Sequence, residues 1–314
     1  MAAFIIRRLI QTVIVIFLVT LITFFLLQLV PGDPIVAMLG GEASPEQIAA
    51  LQKELWLDRP VVVQYVHWLT NALKGDLGIS ITLDYPVSTI IAERLPYTLY
   101  LSSLAFIISP IIGIFFGAIS AIRRGSFIDP FISLFANAGV AIPIFWLAIL
   151  GAYFFGFKLH WLAIQGFAWP TDDLVRSIKT TIMPVICMAV PAVAVMARQT
   201  RSSVLEVIRQ DYVRTAMAKG LSERRVVLRH VLKNALIPVV TLLGLQVRVL
   251  VGGAVLVETV FNINGMGRLI VSAGFGKDFP VLQATVLITA LAVCLANLVV
   301  DISYGWLDPR IKYE

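Results

Sequence analysis

The chain has 314 residues, of which 59% are hydrophobic and only 14% are charged, and its formal net charge is +6. A typical soluble domain has roughly 25% charged residues, and a mean hydropathy of +0.88 excludes a water-soluble fold of this length. The apolar runs are too long, and alternate too weakly, for the strands of about 10 residues in a membrane barrel. The composition therefore predicts an all-α integral membrane protein, because helices pair their own backbone groups inside lipid.

Six apolar runs predict six transmembrane helices, each of which needs about 20 mostly apolar residues. They cover residues 9–30, 99–122, 131–157, 181–197, 237–257 and 281–304. The first run is too long for a signal-peptide core and lacks a small-residue cleavage site, so we expect a retained helix. The fourth contains Pro184 and Pro191, which neighbouring helices can accommodate.

The charges between these runs predict the orientation of the chain. Segment 198–236 carries nine Lys or Arg and three acids, whereas segment 31–98 carries four bases and eight acids. The positive-inside rule then places both termini, segment 123–130 and segment 198–236 in the cytoplasm. Six spans agree with two termini on the same side. Because the basic residues lie in connections between apolar runs and set the orientation in the membrane, the positive net charge does not indicate a nucleic-acid partner.

Four regions follow from this pattern. An N-terminal transmembrane helix (1–30) precedes a small extracytoplasmic subdomain (31–98), a core of five membrane helices (99–304) and a cytoplasmic tail (305–314). Within the subdomain, short helices are expected near 45–55 and over Val61–Leu73, and Gly75 breaks the second pattern.

The sequence shows no motif for nucleotide binding, catalysis or metal binding. It has no Gly-x4-Gly-Lys-Ser/Thr segment to hold a nucleotide phosphate, and no nucleophile, base and orienting group stand out. The residues that most often bind metals are scattered or lie in apolar runs, so we predict neither a metal site nor a disulfide. These residues are His67, His160, His230, Cys187 and Cys294.

Segment 198–236 has the pattern of a helix, a glycine and a second helix. Ser203-Val-Leu-Glu206 has the form of a capping box, and Gly220 predicts the end of a helix over 211–219. Ser222 can then cap a helix over 223–236. A stripe at helical spacing is apolar or small. It consists of Val213, Ala216, Met217, Gly220 and Leu221.

Two interpretations of this stripe are open. The segment can lie on anionic lipid headgroups, or it can dock with the stripe in a groove of a cytoplasmic partner. Ala216 and Gly220 favour docking, because small residues allow close backbone approach but anchor poorly in lipid.

Arg214-Thr-Ala-Met-Ala-Lys-Gly220 resembles the EAA loop of permease subunits in binding-protein-dependent ABC importers. Arg214 and Thr215 replace the usual Glu and Ala, a departure typical of the dipeptide/oligopeptide/nickel branch. That branch has the forms DYxRTAxAKG and RNAxxPVVT, which are similar to residues 211–220 and 233–241 here. Further matching segments lie at 31–34, 75–80, 200–206, 258–261, 265–268, 278–280 and 308–310.

The resemblance implies the fold of a type-1 ABC importer transmembrane domain, in a bacterial or archaeal cytoplasmic (inner) membrane. It implies a transport subunit, not an enzyme, that lies in membrane lipid beside a second, homologous permease. It also implies two ATPase subunits on the cytoplasmic side and an extracytoplasmic solute-binding protein. ATP and Mg²⁺ would be bound by the ATPases, and this chain would bind no cofactor. The implied ATPase-coupling residues are Asp211, Tyr212, Arg214, Thr215, Ala216, Ala218, Lys219 and Gly220.

Arg248 lies in the middle of the fifth apolar run, where a charge costs roughly 2.5–3.5 kcal/mol on insertion scales. It either pairs with a carboxylate or carbonyls of another helix, or lines the pathway and meets an anionic solute group. Gly244 and Gly252 share its helix face and leave room for either. Glu258 and Asp301 lie near span ends, where structural hydrogen bonding is expected.

The alternative function is an ion-gradient-driven secondary transporter or channel. That class needs intramembrane acids along an ion path, and the predicted spans hold almost none away from their ends. A membrane enzyme would need clustered polar residues, and none are evident. The sequence leaves the solute open among dipeptides, longer peptides, glutathione-like compounds, nickel chelates and oligosaccharides.

Overall fold

The computed structural model describes residues 2–29, 46, 52–53 and 56–307, with the backbone alone at 2–5, 248 and 301–307. These ranges are helical apart from turns, loops and one isolated β-bridge between Ile79 and Pro86. The expected all-α fold is confirmed. The helices are α1 Ala2–Gln28, α2 Val61–Leu73, α3 Val87–Ile122, α4 Ile128–Ala141, α5 Ile144–Lys158, α6 Leu174–Ile208, α7 Asp211–Ala218, α8 Glu223–Ala235, α9 Ile237–Val260, α10 Met266–Phe275 and α11 Phe279–Leu307.

The membrane-spanning helices are of two kinds. In the described part of the chain, α1, α3, α6 and α11 are each long and apolar enough to cross a bilayer. Counted as one span each, the bent pairs α4–α5 and α8–α9 bring the number to six. The predicted run 131–157 is therefore not one straight helix, since α4 and α5 meet at 105°. Ile142 is extended before Pro143, because proline disfavours a helical conformation in the residue that precedes it.

Several helices extend beyond the apolar runs that predicted them. Helix α3 begins at Val87 instead of 99, and α6 runs from Leu174 to Ile208 instead of over 181–197. Hydropathy marks only the part of a helix that lies in lipid, whereas a helix can continue in water or against other protein. Helix α2 has the predicted bounds. The helix expected near 45–55 falls almost wholly outside the described residues, as do the segments 31–34 and 308–310.

The described residues form two compact units. The first comprises Leu99–Ile263 and the described residues from Leu295 onward, and the second comprises Ala2–Thr98 and Asn264–Cys294. The second unit thus joins a stretch that the sequence assigned to the membrane core to the segment before residue 99.

Helix α6 is the centre of the first unit, and small residues bring other helices close to it. A Cβ atom added at Gly117 of α3 would lie 2.4 Å from the Ala197 carbonyl oxygen. One added at Gly139 of α4 would lie 3.1 Å from Val190 Cγ1. Close backbone approach between membrane helices is what small residues allow. Helix α6 continues through Pro184 and Pro191, as the sequence predicted.

The second unit contains a turn fixed by a buried carboxylate, which we call the Ser80 turn (residues 79–85). Asp278 is almost fully buried and accepts hydrogen bonds from Ser80 Oγ at 2.5 Å and from Thr82 Oγ1 at 2.7 Å. It also accepts from the backbone N–H groups of Ile81 and Thr82 at 3.2 and 3.0 Å. Two motifs that lie almost 200 residues apart in the chain, at 75–80 and 278–280, thereby form one local structure.

Candidate functional site

The segment with the strongest sequence signal folds as a helix, a glycine and a second helix, as predicted. Helix α7 begins after the extended residue Gln210 and ends at Ala218. Gly220 has a φ of +79°, a conformation that glycine adopts without strain. Helix α8 then starts at Glu223 and contains a wider, π-helical stretch over Val227–Val231.

One face of α7 is buried within the first unit. Val213 is fully buried and Ala216 nearly so. They belong to an apolar cluster, called here the α7 base, to which α3, α6 and α8 contribute. Its members are Ala121, Val204, Val213, Ala216, Val226, Val231 and Ala235. Because α7 is a short helix, this packing and not intrinsic helix propensity is what holds it in place.

The other face of α7 is exposed, and this corrects the predicted docking geometry. The stripe was expected to enter a partner's groove, but its residues Val213 and Ala216 pack against this chain instead. Periodicity identifies a buried face without showing which protein buries it. The remaining predicted coupling residues are exposed, together with Met217. They are Asp211, Tyr212, Arg214, Thr215, Ala218, Lys219 and Gly220.

Polar contacts add to the attachment of α7. Asn234 Nδ2 of α8 donates a hydrogen bond to Tyr212 Oη at 3.0 Å, which joins the two helices at their exposed side. Arg214 and Asp211 form an ion pair at 3.6 Å in which both side chains are largely exposed. Exposed pairs of this kind contribute at most about 1 kcal/mol, so this pair adds little to the attachment of α7.

The capping box predicted at Ser203 does not exist. Ser203 lies inside α6 and is buried, and its Oγ accepts a hydrogen bond from Gln199 Nε2 at 3.2 Å. The Ser-x-x-Glu pattern occurs here one turn before the end of a helix, where a serine can bond to its neighbours on the same face. The connection before α7 is therefore only two residues long, and α6 leads directly into α7.

Close to the α7 base lies an ion pair that the sequence analysis missed. Arg201 of α6 donates two hydrogen bonds to Asp129 of α4, from Nε to Oδ1 at 2.8 Å and from Nη2 to Oδ2 at 2.9 Å. Ser120 Oγ of α3 donates to Asp129 Oδ1 at 2.6 Å. The available signal was one acid, Asp129, in a basic connection beside an apolar run.

Arg248 lies within α9, but its side chain is outside the described residues, so its role stays a prediction. A Cβ atom at Gly244 would lie 3.1 Å from Val300 Cγ1 of α11, whereas one at Gly252 would meet nothing within 4 Å. Close helix approach thus occurs at the first glycine, and open space at the second. Glu258, expected to be structural, is fully buried, and Asp301 lies where only the backbone is described. In the described part of the chain, no three His, Cys, Asp or Glu residues are grouped to hold a metal ion.

Two family models match the chain. Residues 113–313 match the binding-protein-dependent transport system inner membrane component, and residues 1–102 match the N-terminal part of the membrane component of such systems. The chain belongs to this family of ABC importer permeases. The predicted resemblance is thereby confirmed, and nothing in the comparisons supports an ion-driven transporter or channel. The protein is a multi-pass permease subunit, a transport component and not itself an enzyme.

Relatives similar along their whole length have names that agree with this family. A probable peptide ABC transporter permease of Sinorhizobium fredii is 38% identical, a putative peptide transport permease of Brucella abortus 41%, and a dipeptide transport permease of Alkalihalophilus pseudofirmus 40%. Each alignment covers 100% of both chains. Membership of this permease family implies that the chain has ATPase and binding-protein partners.

Solved structures show the same fold at low sequence identity. An inward-facing MetNI methionine ABC transporter aligns with a TM-score of 0.57 at 17% identity, over 70% of this chain and 96% of that chain. An amino acid ABC transporter with histidines aligns at 0.52 and 15%, over 71% and 95%. The type-1 importer fold of this permease is therefore shown.

Proposed function

We propose that this permease carries peptides and that the exposed face of α7 receives a cytoplasmic ATPase subunit. The full assembly would hold a second, homologous permease, two ATPases that bind ATP and Mg²⁺, and a solute-binding protein outside. The termini and segment 198–236 would face the cytoplasm, as the charge distribution indicates.

The observation that carries the docking proposal is the two-sided character of α7. One face is fixed to the α7 base, while the other presents Tyr212, Arg214 and Met217 to solvent. A helix that is anchored on one side and exposed on the other can transmit a force from a partner to the attached helices. A lipid-surface helix would instead present its apolar face outward, but in α7 that face is occupied by this chain.

Met217→Glu tests the docking surface. Met217 is 47% exposed, so the substitution leaves the α7 base intact and places a charge in the proposed contact. We expect co-purification of the ATPase subunits to fall about tenfold, which corresponds to roughly 1.4 kcal/mol. The matched control is Leu73→Glu on α2, where Leu73 is 80% exposed and lies on the predicted outer side. ATPase recovery equal in both variants would contradict the proposal.

The names of the full-length relatives support a peptide as the solute. The test reconstitutes the complete importer in proteoliposomes with ATP inside and a mixture of di- to pentapeptides outside, with uptake measured by mass spectrometry. We expect ATP-dependent uptake of a subset of these peptides. Uptake that persists without ATP, driven by an ion gradient, would contradict the importer function. If only nickel chelates or oligosaccharides are taken up, the peptide assignment is wrong.

A further inference from the structure

The ion pair between Asp129 and Arg201 joins three helices at one point. Arg201 Nε contacts both Asp129 Oδ1 at 2.8 Å and Ser120 Oγ at 3.1 Å. Asp129 and Ser120 are buried, and the Arg201 side chain is one-third exposed. Bidentate Arg–carboxylate contacts fix orientation as well as distance. The pair therefore sets the position of the N-terminal end of α4 relative to α3 and α6.

An apolar recess lies beside this contact, along the neighbouring part of α4. It has a volume of about 630 Å³ and lies between α3, α4 and α6, and its walls are almost entirely apolar. They include Ile112, Phe116, Phe131, Phe135 and Ala197. Ala197 precedes Arg201 by one helical turn, so the recess begins one turn from the ion pair.

Close backbone approach of α4 to α6 also occurs at Gly139, more than two turns beyond Asp129, where an added Cβ atom would lie 3.1 Å from Val190 Cγ1. The Asp129–Arg201 pair adds a charged contact of fixed orientation at the N-terminal end of α4.

The same pair adjoins the attachment of α7. Ala121 follows Ser120 in the chain, and Val204 lies one turn after Arg201 on α6. Both Ala121 and Val204 belong to the α7 base, where they pack with Val213 and Ala216. These apolar contacts connect α7 to α6 and to the end of α3. The contacts of Asp129 with Arg201 and Ser120 connect both of those helices to α4.

We propose that the Asp129–Arg201 pair, supported by Ser120, is a positioning element that makes α4 follow the movement of α7. It rests on the proposed docking of an ATPase at α7. Without the pair, the ATPases would still bind and hydrolyse ATP, but the N-terminal end of α4 would follow α6 and α7 less closely. Loss of the pair would therefore weaken coupling, so that fewer solute molecules are carried for each ATP hydrolysed.

The test measures peptide uptake and ATP hydrolysis in the same proteoliposomes, using the peptide mixture described above. We expect Asp129→Asn to keep ATPase co-purification and to lower the peptide-to-ATP ratio about tenfold. The loss of a charge-assisted hydrogen bond changes the equilibrium between the formed and broken contact by about this factor. The exchanged pair Asp129→Arg with Arg201→Asp should recover much of the ratio. Asp58→Asn is the matched control, because Asp58 forms an exposed ion pair with Arg59 at 3.5 Å.

If Asp129→Asn does not assemble, Ser120→Ala provides the second variant, since it removes the hydrogen bonds of Ser120 Oγ to Asp129 and Arg201 but keeps the ion pair itself. We then expect a smaller fall in the ratio with assembly intact. An unchanged ratio in each variant that assembles would overturn the inference, as would uptake and hydrolysis falling in equal proportion. Failure of the proposed function is distinguishable, because the unmodified importer would then show no ATP-dependent peptide uptake.

Discussion

A single buried carboxylate, Asp278, satisfies four donors of the Ser80 turn. The turn has little apolar burial of its own, since Ile79, Leu83 and Tyr85 are exposed. Its conformation therefore depends on the hydrogen bonds. Ser80 is the buried donor among them, and leaving a buried donor without an acceptor costs about 1–3 kcal/mol.

Asp278→Asn should loosen this turn. The amide of asparagine has only one acceptor oxygen. Its NH2 group would face hydroxyl and N–H donors, from which it cannot accept a hydrogen bond. We expect hydrogen–deuterium exchange over 79–85 to rise about tenfold or more, in line with the cost of an unpaired donor. Asp172→Asn, at an exposed carboxylate, is the control. Equal exchange in the two variants would show that Asp278 does not fix the turn.

Glycine at position 117 allows α3 to contact α6 directly. An added methyl group would lie 2.4 Å from the Ala197 carbonyl oxygen and 2.7 Å from Thr200 Cβ. Neither neighbour is the flexible end of a long side chain, so the helices themselves must move apart.

We expect Gly117→Ala to lower the thermal stability of the purified permease, with a cost of about 1–3 kcal/mol, as is usual for overpacking. Gly274→Ala in α10 is the comparison, because nothing lies within 4 Å of its added Cβ. That change should be neutral or slightly stabilising. Equal melting temperatures of the Gly117→Ala and Gly274→Ala proteins would contradict the close contact.

At the scale of the elements, α7 owes its position to the α7 base. Val213→Ala removes two methyl groups from the fully buried side of the helix. We expect a cost of about 1–3 kcal/mol and faster hydrogen–deuterium exchange over 211–221. Leu228→Ala on α8 is the control, since Leu228 is exposed. Exchange that is faster only for Leu228→Ala would mean that α7 is held by other contacts.

The sequence predicted elements well where local chemistry decides them. Helix α2 has its predicted bounds because Pro60 favours a helix start and Gly75 prevents continuation. The run 131–157 does not reveal the 105° bend between α4 and α5, because hydropathy averages over Pro143. Ser203 has the spacing of a capping box but lies inside α6, which continues to Ile208.

The helix, glycine and second helix of segment 211–236 were predictable from the sequence, but the surface that buries α7 was not. The spacing of Val213 and Ala216 showed that one face of α7 is buried, yet only the fold shows that this chain buries it. The Asp129–Arg201 pair was not predictable from spacing, because its members lie 72 residues apart. Such contacts depend on how helices pack and leave no periodic signal.

At the scale of the whole molecule, orientation follows from the distribution of basic residues. Phe127 is 96% exposed in the connection between α3 and α4, and Leu73 is 80% exposed at the end of α2. They are predicted to lie on opposite sides of the membrane.

Single cysteines test this topology. In a protein whose Cys187 and Cys294 are replaced by Ala, Leu73→Cys should react with a membrane-impermeant maleimide added outside intact cells. Phe127→Cys should react only after the cells are opened. The reverse pattern would contradict the predicted orientation and place α7 on the wrong side for ATPases.

The Ser80 turn also constrains how the protein is made. Ser80 and Asp278 are separated by 198 residues, and ribosomes add about 5–20 residues per second. Roughly 10–40 seconds therefore pass between synthesis of the two partners. Throughout that interval the nascent chain carries hydroxyl and amide donors without their carboxylate. The second unit can be completed only after residues 264–294 have been synthesised.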